Sequence, residues 1–107
     1  MVRASQRRRL GSAANGLVEE LLSPDIGGKF ETFLSTFEPG VKLSGFTRRE
    51  TEEEGYIVRG RLDVWIGRKL FHLSAGDSFR IVGEPFRWAN PTTEKTEVVW
   101  IISPSVY

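Results

Sequence analysis

The chain has 107 residues, 39% of them hydrophobic, with 7 Phe, 3 Trp and 2 Tyr, which is enough for one domain around one core. A formal charge of +1 gives the whole molecule no field toward nucleic acid or membrane. Cysteine is absent, so disulfides, thiol catalysis and thiolate metal sites are excluded. No apolar run approaches the roughly 20 residues of a membrane-spanning helix, and no apolar segment follows the first arginines as a secretory signal requires. The expectation is a cytoplasmic protein.

Residues 1–16 are basic, small and polar, with Arg3, Arg7, Arg8 and Arg9 ahead of a Gly/Ser/Ala/Asn-rich stretch. They read as an arm for nucleic acid or an acidic partner, as a solvated tail, or as a first strand with its arginines on the wet side. Residues 17–107 read as a single domain. Leu17 to Leu22 suits a short strand or a helical turn, ended by Ser23-Pro24-Asp25. Next, Phe33 and Phe37 alternate with Thr32 and Thr36, the period of a strand, and Glu38-Pro39-Gly40 closes it.

Residues 41–49 form a further extended run, and Tyr56–Val58 another. Arg59-Gly60 predicts a tight hairpin into Leu62, Val64 and Ile66, which alternate with Arg61, Asp63 and Trp65. Gly67-Arg68 turns into the run KLFHLS, and Ala75-Gly76-Asp77 turns into Ser78–Ile81. Gly83-Glu84-Pro85 leads to Phe86–Ala89, and Asn90-Pro91-Thr92-Thr93 to the final run EVVWIIS. The unbroken apolar character of that last run predicts burial on both faces. No stretch holds a helical period. Eight or nine short strands at this spacing predict an all-β sandwich or barrel.

Within residues 46–90, Glu-Gly-Tyr-Ile-Val-Arg-Gly and Ala-Gly-Asp-Ser-Phe…Pro-Phe-Arg-Trp-Ala-Asn-Pro resemble the two signature motifs of a small single-domain cupin, and the likeness runs over residues 30–104. It implies a cupin double-stranded β-helix, a jelly-roll barrel. Placing Tyr56-Ile57-Val58-Arg59-Gly60 on the end of the first motif puts that motif's glutamate at Glu53 and its two histidine positions at Thr47 and Arg49. In the second motif Gly76, Pro85 and Asn90 match, and the histidine position is Phe86. Arg7-Arg8-Arg9-Leu10, Glu20-Leu21-Leu22-Ser23-Pro24-Asp25, Glu38-Pro39-Gly40 and Ala75-Gly76-Asp77-Ser78-Phe79 further resemble the sensor domain that follows a helix-turn-helix in bacterial repressors. No helix-turn-helix precedes the domain in these residues, so contact with DNA would run through a separate or absent segment.

A cupin metal site needs neutral imidazoles and a carboxylate with open positions for substrate. Thr47 is a poor donor, Phe86 is none and Arg49 is a cation. The expectation is therefore no metal, no cofactor and no catalytic residues, leaning away from an enzyme. Alternation turns Thr47, Arg49 and Glu53 one way and gives Phe86 and Trp88 the facing inner side. Those five are the candidate ligand-binding residues: the arginine would clamp an anionic or amide-bearing small molecule and the rings would bury its apolar part. The alternative is an Arg49–Glu53 pair in a barrel filled by side chains. His72, the one histidine, reads as an outward strand residue away from the pocket. The carboxylates of Glu50, Glu52, Glu53 and Glu54 read as a solvated loop with one inward member rather than an acid–base cluster.

Together these readings predict a non-catalytic small-molecule-binding domain, the effector part of a transcriptional regulator, paired as a homodimer and without membrane contact. The alternative is a cupin-type isomerase, lyase or oxygenase with a non-standard or absent metal site.

Overall fold

The computed structural model describes residues 1–10 and 16–105; the Gly/Ser/Ala/Asn-rich part of the basic arm lies mostly outside them. Among the described residues nine strands follow a 3-10 turn at Ala4–Gln6: β1 Arg9–Leu10, β2 Leu17–Leu21, β3 Glu31–Phe37, β4 Glu52–Arg59, β5 Arg61–Ile66, β6 Lys69–Ser74, β7 Ser78–Val82, β8 Phe86–Ala89 and β9 Thr96–Ser103. They build a six-stranded sheet in the order β1-β2-β3-β9-β4-β7 and a three-stranded sheet in the order β6-β5-β8. Every pairing between these strands is antiparallel. The two sheets close on one core as a jelly roll, and no helix among the described residues is long and apolar enough to cross a membrane.

Alternation decides which side chains make that core. In β3 Phe33 and Phe37 point inward, and in β9 Val98, Trp100 and Ile102 do the same. β5 and β8 answer from the facing sheet with Leu62, Val64, Phe86 and Trp88. Each such side chain contributes roughly 1.5–3 kcal/mol by leaving water. Gly55 lies between Trp100 and Phe79 in the register of β9, β4 and β7. A Cβ there would stand 2.3 Å from Phe79, so the glycine is what lets Phe79 pack edge-on to Trp100 at 5.2 Å.

Three expectations need correction. The turn at Arg59-Gly60 is not a hairpin, because β4 pairs with β7 and β9 whereas β5 pairs with β6 and β8. A bulge between Ile57 and Arg59 and a positive φ of 86° at Gly60 swing the chain into the other sheet. The buried Thr96 fixes the crossing: its hydroxyl accepts from Arg61 N at 3.1 Å and donates to Arg61 O at 2.6 Å. Residues 41–49 are not a strand either. They pair with β8 as isolated bridges, Lys42 to Ala89 and Thr47 to Phe86. Finally, β9 is buried on one face only, since Val99 and Ile101 on the other are half-buried.

The N-terminal arginines follow the strand alternative over Arg9 and Leu10, which pair with Glu20 and Glu19 of β2. Leu10 packs against the core, while Arg7 stands 4.0 Å from Glu20.

Candidate functional site

The site grows from β4. Alternation turns Glu53 inward between Ile102 of β9 and Ile81 of β7, where it is 1% exposed. A buried carboxylate must be satisfied, and two donors do so: Trp100 Nε1 to Oε1 at 2.9 Å and the Thr51 hydroxyl to Oε2 at 2.7 Å. Arg49 stands four residues earlier with its Nε 3.7 Å from Oε2. That separation gives an ion pair but not a hydrogen bond, and the Arg49 Nε is buried without a hydrogen-bond partner.

The facing wall comes from β8. Phe86 is locked beside Thr47 by two backbone hydrogen bonds, Thr47 N to Phe86 O and Phe86 N to Thr47 O, both 2.8 Å. The Arg49 guanidinium lies over the Phe86 ring at 5.4 Å, a cation–π contact. Trp88 points inward two residues on and meets Phe37 edge-on at 4.8 Å. Between these groups is a cavity of about 50 Å³, with Leu17, Glu19, Phe37, Arg49, Trp88 and Trp100 in its wall.

Of the five candidates, Arg49 and Trp88 line that cavity. Glu53 sits behind Trp100, Phe86 lies beneath the guanidinium, and Thr47 reaches the site through its backbone bridge to Phe86. Sequence reading missed Thr51 and Trp100, the two donors to Glu53. Trp100 was within reach: in EVVWIIS it shares a face with Val98 and Ile102 by alternation. The Arg49–Glu53 pair of the alternative reading forms, and side chains fill most of the barrel, leaving about 50 Å³, far below the roughly 300 Å³ of an ordinary small-molecule pocket.

The donor set does not fit a divalent metal. One carboxylate with both oxygens already accepting hydrogen bonds, beside a guanidinium and a phenyl ring, offers neither the neutral nitrogens nor the open positions such a centre needs. Among the described residues no group of three or more His, Cys, Asp or Glu side chains could hold an ion.

His72 lies on the outer face of the three-stranded sheet, 75% exposed, with its Nδ1 2.6 Å from Asp63. It takes no part in the barrel interior. Glu52 and Glu54 point outward from β4 and meet Arg80 of β7, at 3.6 Å and 2.8 Å. Only Glu53 of that acidic run enters the barrel.

Residues 33–102 match the family model Cupin_2, described as a cupin domain. The chain belongs to that family. A cupin described as RmlC-like from Shewanella frigidimarina NCIMB 400 superposes with a TM-score of 0.80 at 19% identity, over 98% of this chain and 90% of that one. The Cupin_2 domain of an XRE family transcriptional regulator from Enterobacter cloacae gives a TM-score of 0.71 at 22% identity, over 82% and 96%. A cupin-superfamily sugar phosphate isomerase from Silicibacter pomeroyi DSS-3 gives 0.79 at 20%, over 96% and 74%. These likenesses carry the fold. No curated protein matches the chain.

Proposed function

We propose that the chain is a non-catalytic, ligand-binding cupin domain that serves as the effector part of a transcriptional regulator. The observation that carries this reading is the Arg49 Nε, a buried donor on a cationic group with no hydrogen-bond partner, at the wall of the barrel cavity. A buried donor without a hydrogen bond is unfavourable, and an anion or amide oxygen entering from the mouth would supply the missing acceptor. At about 50 Å³ the cavity admits a head group of a few heavy atoms, with the rest of the ligand outside. Trp88, Trp100 and Phe37 would exclude water around it and strengthen the contact with Arg49.

The regulator context rests on the resemblance of residues 7–10, 20–25, 38–40 and 75–79 to repressor sensor domains and on the regulator cupin from Enterobacter cloacae, whose whole length the fold of this chain nearly spans. Ligand occupancy would alter the mouth, whose lip is the start of β2. That strand also carries β1 and the basic N-terminal residues, which gives a path from the pocket to a linked DNA-binding segment. The protein would act as a homodimer.

Thermal-shift and calorimetric titration with small carboxylates and amides test the reading. A carboxylate that raises the melting temperature of the native protein, and loses roughly tenfold or more in affinity in Arg49→Gln, is the expected result. Binding unaffected by Arg49→Gln and by Trp88→Phe would refute the assignment.

A further inference from the structure

A second set of depressions lies outside the barrel. Two depressions, of about 370 and 430 Å³, meet at Arg61 and Ser74 on the outer face of the three-stranded sheet. Each reaches the size of an ordinary small-molecule site. The register sets Arg61 opposite Ser74 and Asp63 opposite His72, so two alternate rungs of the β5–β6 ladder, on the same face, form the floor. The loop after β8, from Pro91 to Glu94, forms the far wall.

The walls are fixed before any ligand arrives. Thr96 holds the Arg61 backbone from below, and Asp77 Oδ2 accepts from Ser74 N at 2.9 Å. The buried Asn90 amide ties the far wall, donating to Glu94 O at 2.8 Å and accepting from Thr92 N and its hydroxyl at 3.0 and 2.8 Å. Pre-ordered walls lower the entropy cost of binding.

The chemistry on display is specific. Among the described residues the Arg61 guanidinium makes no ion pair, so it faces the groove as an uncompensated fork of donors. The Asp63 carboxylate can only accept, so His72 Nδ1 donates to it, and Nε2 of the same ring is left for a hydroxyl at the groove that His72 lines. The Ser74 and Thr93 hydroxyls and the Glu94 carboxylate continue along the second lobe. We propose that this groove binds a hydroxylated carboxylate or phosphate, its anion on Arg61, an adjacent hydroxyl on His72 Nε2 and further hydroxyls along Ser74, Thr93 and Glu94.

His72 is the one histidine of the chain, so its imidazole signals report on the groove without ambiguity in carbon- and nitrogen-edited NMR. Gluconate and glycerol phosphate are the probes, with inorganic phosphate and glycerol as their separate halves. The expected result is saturable movement of the His72 ring and of the Arg61, Ser74 and Thr93 amides with at least one probe; which probe binds identifies the anion. Arg61→Gln should weaken that binding by roughly tenfold or more. His72→Phe should weaken the hydroxylated probe while leaving inorganic phosphate unchanged, and Arg49→Gln, inside the barrel, should change neither. No saturable shift with either probe up to about 50 mM, or equal binding by Arg61→Gln, would overturn the proposal.

Discussion

Glu53 is the residue on which the barrel interior turns. Its carboxylate is buried and takes one hydrogen bond from Trp100 and one from Thr51. Thr51→Val removes one donor at nearly constant volume, so Glu53 Oε2 would keep only the Arg49 contact at 3.7 Å. The expected loss is about 1–3 kcal/mol in urea unfolding, whereas Thr93→Val, on the exposed loop, should stay within about 0.5 kcal/mol. Equal effects would show that the Glu53 network does not hold the interior. The sequence made Glu53 and Arg49 legible because the cupin motif and strand alternation both turn them inward. Thr51 escaped notice because it lies at the strand entry, where alternation gives no guidance, and its role is set by the position of a carboxylate two residues away.

Among elements, β4 carries the most. It joins β9 to β7, supplies Glu53, and gives up a side chain at Gly55 so that Phe79 and Trp100 can meet. Gly55→Ala would drive a Cβ into the Phe79 ring, and overpacking of this kind costs about 1–3 kcal/mol. Adding Phe79→Leu should restore part of that loss, a recovery read from the urea midpoint of the double variant; no recovery would place the strain elsewhere. Strand positions were legible because period-two patterns mark β3, β5 and β7 plainly. Which strands pair was less so. Arg59-Gly60 has the composition of a hairpin, yet the bulge before it and the Thr96 hydroxyl beneath Arg61 send the chain into the other sheet. That outcome depends on a strand 35 residues away, which local pattern cannot register. Residues 41–49 have the composition of an extended run, yet a bend at Ser44 and Gly45 breaks it, and isolated bridges attach it to β8.

At the scale of the molecule, the two sheets leave β7 at the rim of the larger one, with Val82 and Tyr56 on its outer face 56% and 49% exposed. Exposed apolar side chains beside a bare strand edge favour pairing with another chain, and the homodimer we propose would use this rim. Light scattering on Val82→Lys combined with Tyr56→Lys should report a monomer that keeps its melting temperature; an unchanged mass would put any dimer contact elsewhere. The sequence showed the jelly roll and the inward faces of its strands, but not how full the barrel is, because that depends on how Phe37, Trp88 and Trp100 interlock across three strands.

We propose that the cupin interior binds its guest through Arg49 without a metal, with Glu53 behind it as the buried partner of Trp100 and Thr51. Metal content of the protein purified in the absence of chelators, read by mass spectrometry of the digested sample, tests it most directly. The account predicts iron, manganese, nickel and zinc far below one per chain and no gain in melting temperature when they are added. A stoichiometric metal that raises the melting temperature, and that is lost in Glu53→Gln, would contradict it.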